Sequence, residues 1–221
     1  SAFIHCSSLS NIFIPNSITK IRSFAFFNCT SITSINIPNS VEYIGDSAFK
    51  GCTSLAYVII PDNVKHIRNS AFGGCTSLTN IVIPNSITKI NFWTFSNCKS
   101  LKRITIPSSV KYIGNFAFDG CSSLTDINIP KSVEKIKEHA FCGCSSLREI
   151  NIPKKVAKIC SNAFYECSSL SNVIISESVR EISYEAFWGC SSLESIDIPK
   201  TVRKICYHSF PTNCEINRID L

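Results

Sequence analysis

The chain has 221 residues, of which 44% are hydrophobic and 17% charged, with a net charge of +6. That balance excludes a disordered chain, which would be richer in charge and poorer in Ile, Leu, Val and Phe. No run of about 18 apolar residues is present, which excludes a membrane-spanning helix and membrane insertion through one. The mild positive charge permits an acidic partner without requiring one. Methionine is absent and the first residue is Ser, so more chain is expected upstream, and the lack of a visible signal peptide says nothing about secretion.

The organising feature is an internal repeat. Cys6, Cys29, Cys52, Cys75, Cys98, Cys121, Cys144, Cys167 and Cys190 are spaced by 23 residues at every step. Phenylalanine keeps the same period from Phe3 through Phe26 and Phe49 to Phe210, and proline from Pro15 to Pro199, with Ser176 the one exception. The chain therefore reads as a repeat solenoid: a single array over 1–221 of about nine and a half 23-residue units, the last of them, 200–221, degenerate.

Taken in chain order, the unit Pro38 to Ile60 starts with Val41-x-x-Ile44, whose apolar residues turn inward. Asp46 to Cys52 is too short for a helix and predicts a single helical or 3₁₀ turn carrying Ala48 and Phe49. Gly51 and its counterparts Gly74, Gly120, Gly143 and Gly189 ease the exit from that turn. Leu55-x-x-Val58-x-Ile60 predicts a short strand with Leu55, Val58 and Ile60 inward and Tyr57 and Ile59 outward. Pro61, which has no N–H for a ladder, ends it. The inward side chains of one unit do not offset the entropy of ordering its backbone, so stacking is obligatory. With strands ~4.8 Å apart, nine coils make a rod or shallow arc about 45 Å long. In the last unit, Phe210-Pro211-Thr212-Asn213-Cys214 brings Cys one place late, while Ile216, Ile219 and Leu221 are read as still in frame.

The recurring Ala-Phe-x-x-Cys-x-x-Leu core, as in Ala48 to Leu55 and Ala186 to Leu193, resembles the BspA-like leucine-rich repeats, also called the Treponema pallidum type. The Asn-, Ile- and Lys-rich filling is more similar to the protist surface members than to the bacterial ones. The resemblance implies a right-handed superhelix with a parallel concave β-sheet and short strand or 3₁₀ turns on the convex side. It also implies surface display, adhesion and protein binding, with no catalysis and no cofactor. Family binding residues do not transfer, because binding positions are the variable ones.

The in-register cysteines admit three readings. Metal ligands must converge on one point, and disulfides need Cβ atoms ~3.8 Å apart and turned toward each other; a parallel thiol column does neither. Cysteine then serves as a small buried hydrophobe at a tight place in the coil, and the odd total of 13 leaves at least one thiol unpaired. Free thiols favour a reducing compartment, against the surface display that the resemblance implies. The histidines His5, His66, His139 and His208 have no nucleophile and carboxylate at a spacing the repeat would bring together, and no phosphate-binding motif is present.

Three variable surfaces remain as binding candidates. On the sheet, Tyr57, Ile59 and Val82 are expected to cluster, with Asn80 and Arg103 beside them, as a protein-binding patch or simply as β-formers on an exposed sheet. Along the V-x-x-I segment a basic edge carries Lys65, Arg68, Lys89, Lys111, Lys135, Lys158, Arg180 and Arg203, opposed by Glu42, Glu134 and Glu181. It suits an acidic protein or acidic glycan; nucleic acid is disfavoured by the modest charge and the absence of a recognition motif. On the convex turns, Phe24, Phe27, Phe92, Trp93, Phe116, Tyr165 and Trp188 are either interface anchors or packed against neighbouring coils. The functional expectation is a non-catalytic module binding protein or glycan at a cell surface or outside the cell. The rival is an intracellular, cytoplasmic or cytoskeletal scaffold docked through the basic edge and the convex aromatics.

Overall fold

The computed structural model describes residues 2–220; Leu221, one of the positions read as in frame, lies outside them. Seventeen short β-strands and no helix are present among the described residues. Every paired strand is parallel to its partner, and the full coils pair one repeat apart, as in Ser34↔Tyr57 and Tyr43↔His66. The L-x-x-V-x-I segments give one ladder. It runs through Ser34–Asn36, Tyr57–Ile59, Asn80–Val82 and Arg103–Thr105. A single bridge, Arg103↔Asp126, extends it, and it resumes at Glu149–Asn151 with Asn172–Ile174. Each three-residue strand alternates exposed, buried, exposed, as a period of two requires when one face meets the core.

The V-x-x-I segments form a second set of parallel two-residue strands, paired from Lys20–Ile21 to His66–Ile67 and again from Lys89–Ile90 to Lys204–Ile205. The sequence predicts only that this segment faces inward. The ladder follows because coils held in register at one strand are in register everywhere, and their N–H and C=O groups need partners.

The core is one continuous column set. Phe49, Phe72, Phe95, Phe118, Phe141, Phe164 and Phe187 are fully buried. Their rings stack nearly parallel from Phe3 to Phe210, with centroids 5.2 to 5.9 Å apart. Each ring thus covers the faces of its two neighbours, and no ring is buried by its own coil alone.

The turn over 46–52 differs from the expected helical or 3₁₀ turn. It is a chain of tight turns in which Ala48 N–H donates to Gly45 C=O (3.3 Å), Lys50 to Ser47 (3.2 Å) and Cys52 to Phe49 (3.1 Å). Left-handed residues at Ser47 (φ 53°) and Gly51 (φ 75°) interrupt any helical run. Glycine marks the second of these positions in the sequence. The first carries Phe24, Ser47, Ser70, Trp93, Phe116, His139, Asn162, Glu185 and His208, all with positive φ and none of them glycine. Left-handed backbone costs a side-chain-bearing residue ~1–2 kcal/mol. It is offset by a third ladder, in which the N–H groups of Ser47, Phe49 and Gly51 donate to Asn69, Ala71 and Gly73 of the next coil, each at 2.8 Å. Inter-coil bonding therefore overrides local preference.

The last coil is three residues short. Ser195 pairs with Glu215 and Ile196 with Ile216, so Arg218 sits beside Ile198 and Asn217 beside Asp197. This corrects the expectation that Ile216 and Ile219 keep the repeat frame. The cause is the missing half of the turn: Cys214 N–H donates to Pro211 C=O (3.1 Å), as Leu193 does to Cys190 (2.9 Å). Cys214 packs partly buried against the core at this end.

Replacing Phe118 by Ala should cost ~3–5 kcal/mol through the cavity it leaves between two ring neighbours, whereas Lys111→Ala should stay within about 0.5 kcal/mol. Chemical denaturation of the two variants checks this, and equal losses would contradict the inward and outward assignment.

Candidate functional site

The ladder of longer strands carries the expected cluster. Tyr57, Asn80 and Arg103 are successive neighbours in one column. Ile59 and Val82 stand in the next column, and both line a groove of about 440 Å³ with Tyr57, Asn80, Asn39 and Asp62. Tyr57, Ile59 and Val82 are 54%, 57% and 61% exposed, so the strands hold three large apolar side chains in solvent because their inward partners Val58, Ile60 and Ile81 take the core places. Arg103 lies one strand further on, in a smaller polar groove with Thr105, Asp126 and Asn128. The structure therefore brings four of the five sheet residues into one groove and Arg103 into the next. Phe13 belongs to the same outward column as Ile59 and is 82% exposed.

The basic edge resolves into three columns. Lys89, Lys135 and Lys158 open two-residue strands. Lys65, Lys111, Arg180 and Arg203 precede the strands in their coils, and Arg68 follows one. Its charge is not all free. Lys65 pairs with Glu42 (3.1 Å), and Lys158 (2.9 Å) and Lys204 (3.2 Å) converge on Oε1 of Glu181. Parallel register puts them there: Lys158 and Lys204 flank Glu181 from the coils before and after. Among the described residues no ion pair engages Arg68, Lys89, Lys111, Lys135, Arg180 or Arg203.

The convex aromatics do not form one patch. Phe24 meets Phe27 edge-on (5.7 Å), and Phe27 meets His5 (5.4 Å). Trp93 stacks on Phe116 (5.2 Å), which stacks on His139 (4.4 Å). Trp188 stacks against His208 (4.8 Å), with Tyr184 and Tyr207 around the same imidazole. Packing between coils is thus the arrangement found, and it includes three histidines that the sequence does not single out as partners of these rings. The signal was present: His139 and His208 are whole repeats away from Trp93 and Phe116.

The thiol column has a polar role beyond its size. Cys75 Sγ donates to the Phe49 carbonyl of the preceding coil (3.2 Å), the carbonyl that also accepts the Cys52 N–H (3.1 Å). The same inter-coil bond recurs from Cys29 to Cys190. A hydrophobe such as Val would leave that second lone pair unmatched. Burial pushes the Cys52 thiol up to about 12 and those of Cys75, Cys98, Cys121, Cys144 and Cys167 well above the ordinary thiol value, with the preceding cysteine of the column adding to it. All thirteen cysteines are free thiols. Among the described residues no group of three or more His, Cys, Asp or Glu side chains is placed to hold a metal ion.

Two outcomes follow. In the native protein a thiol reagent should label Cys6 fast and Cys142, Cys160, Cys206 and Cys214 slowly, leaving the eight buried thiols for the unfolded chain; rapid reaction of all thirteen would overturn the column's burial. The Glu181 carboxyl is held below the usual carboxylate range, first by Lys158. Its contribution is therefore present above its unfolded pKa and lost as pH falls through the lowered folded value. The melting temperature of Glu181→Gln should lie below that of the wild type at pH 7, and the difference should shrink as acid protonates the wild-type carboxyl.

With this geometry in hand, the comparisons with known proteins are specific. The sequence matches the family model for the BspA type leucine rich repeat region over residues 1–125 and 111–221. A leucine-rich repeat protein from Bacteroides ovatus ATCC 8483 is similar over 99% of this chain and 80% of its own, with 26% identity and a TM-score of 0.68. The T. pallidum leucine rich repeat protein is 36% identical, with a TM-score of 0.64, over 73% of this chain and 75% of its own. A leucine rich cell surface protein from Faecalibacterium prausnitzii A2-165 is 27% identical, with a TM-score of 0.52, over 96% of this chain and 68% of its own. No curated protein matches the sequence. A chain that repeats this core from coil to coil and matches the model along its whole length belongs to the BspA type leucine rich repeat family.

Proposed function

We propose that this array is a non-catalytic recognition module that binds a protein at a cell surface through the ladder of longer strands. Leucine-rich repeat arrays serve generally as protein-interaction modules, and the observation that carries the reading here is the groove of Tyr57, Ile59 and Val82 rimmed by Asn39, Asp62 and Asn80. Large apolar side chains held more than half exposed on adjacent rigid strands, with a polar rim, have the composition of an interface centre. Because the strands are fixed by neighbours on both sides, little side-chain and backbone order remains to be lost on binding. The similarity to a protein described as a cell surface protein supports the location.

A second reading rests on a different observation. The thirteen unpaired thiols suit a reducing compartment, which favours an intracellular scaffold docked through the unpaired cations of the basic edge and the convex aromatics.

Labelling intact source cells with a membrane-impermeant amine reagent separates the two. The surface reading expects the exposed lysines to be modified, and protection until lysis would favour the scaffold. Capture of surface-labelled proteins by the wild-type chain and by the Ile59→Asp, Val82→Lys double variant tests the groove. Partners should be lost with the variant, and their retention would move the binding surface elsewhere.

A further inference from the structure

We propose that the convex side carries a saccharide site, built on the uncovered face of Trp93, that takes a neutral pyranose ring. It is separate from the sheet groove and does not depend on it.

The site arises from an interruption in the aromatic column. Trp93, Phe116 and His139 stack face to face along successive coils. One coil before Trp93 the same column position is Ser70, and one before that Ser47. The backbone at Ser70 has the same left-handed conformation as at Trp93 (φ 54° in each), so its side chain leaves in the equivalent direction but ends after one atom. Phe92 meets Trp93 edge-on (6.2 Å) with its ring over Gly114 in the following coil, and it does not line the groove on the Ser70 side. The result is a ring-sized space against the indole, in a groove of about 530 Å³, within the ~300–1,000 Å³ usual for small-ligand sites. Trp93 is 44% exposed there.

The groove's other walls are polar. In the neighbouring column, consecutive coils place Lys50, Gly73, Ser96 and Asp119, all of which line it. Gly73 is the one glycine of that column, and its missing side chain opens the floor beside Trp93; an added Cβ would stand 3.1 Å from the Trp93 carbonyl oxygen. The polar groups are pre-oriented. Asn97 Nδ2 donates to Ser96 Oγ (3.0 Å), and Ser96 Oγ donates to Asp119 Oδ2 (3.2 Å), which fixes the carboxylate with its other oxygen still able to accept. The Cys142 thiol of the following coil also neighbours Asp119 and, raised to about 12 by burial and then by that carboxylate, stays protonated.

This combination selects the ligand class. A cation over the indole would face the Lys50 ammonium at one end, and an anion would face Asp119 at the other. A purely apolar ring would desolvate Ser96, Asn97 and Asp119 without hydrogen-bonding them. A pyranose satisfies both halves: its C–H face carries the slight positive charge that the indole face attracts, as a ring edge does in a T-shaped pair. Its rim of hydroxyls can donate to the carboxylate, two vicinal hydroxyls in bidentate fashion, and accept from Lys50 and Asn97.

The test uses the full chain carrying Trp188→Phe, which leaves Trp93 as the only indole. It is titrated by tryptophan fluorescence with neutral trisaccharides of glucose, galactose, mannose and N-acetylglucosamine, and with a phenylalanine-containing tripeptide and benzyltrimethylammonium as contrasts. At least one trisaccharide should give a saturable emission change, weakened at least tenfold by Asp119→Asn. Ser70→Phe completes the ring column as Phe116 does for Trp93. It should abolish the response while leaving the melting temperature within a few degrees, so loss of binding is not loss of fold. Ile59→Asp, on the sheet groove, should leave the response unchanged. No saturable change with any trisaccharide, a response that survives Ser70→Phe, or a response to the tripeptide or the ammonium ion in place of the sugars would overturn the proposal.

Discussion

In this molecule a backbone N–H finds its partner chiefly in the adjacent coil. The N–H groups of Ser47, Phe49 and Gly51 reach the next coil's carbonyls, the strand ladders run coil to coil, and the thiols from Cys29 to Cys190 each bond a carbonyl of the coil before. A coil removed from its neighbours would lose all three sets of bonds together with the faces that bury its phenylalanine. Stability therefore grows with each added interface, as in other one-dimensional arrays, and the period cannot drift by a residue without breaking three ladders at once.

That constraint also explains what the turns tolerate. Bulky residues such as Trp93 and Phe116 adopt a left-handed backbone because the carbonyl awaiting their N–H is fixed by the following coil. The side chains at this position are free to vary, and they project along one line on the outer surface. Where they are aromatic they stack, and where they are small they leave room. The outer surface is thus a sequence of filled and empty places written by one column, and its chemistry changes abruptly from one coil to the next without any change in the backbone.

The sheet face works by a similar rule with a different result. Its outward columns are flat, closely spaced and rigid, so neighbouring choices add. Tyr57, Ile59 and Val82 make a groove because adjacent strands place them side by side, and Lys158, Glu181 and Lys204 make a charge triplet on the other face for the same reason. Recognition by such a surface depends on which residues fall in register, and a single substitution changes one place of the pattern while its backbone stays held by both neighbours.

The sequence by itself determined the period, the inward columns and the outward columns, because one residue type recurring at a fixed interval forces equivalent places in equivalent coils. The burial of Phe118 and Cys121, the exposure of Ile59 and the clustering of the sheet patch were all legible for that reason. Tertiary structure alone decided the second strand ladder, the left-handed position without glycine, the thiol-to-carbonyl bonds and the shortened last coil that puts Glu215, not Arg218, beside Ser195. Each of these depends on the partner atom supplied by another coil. A periodic pattern says which residues are equivalent, but it does not say where the hydrogen bonds between equivalent residues go, or which gap in an aromatic column is left open to solvent.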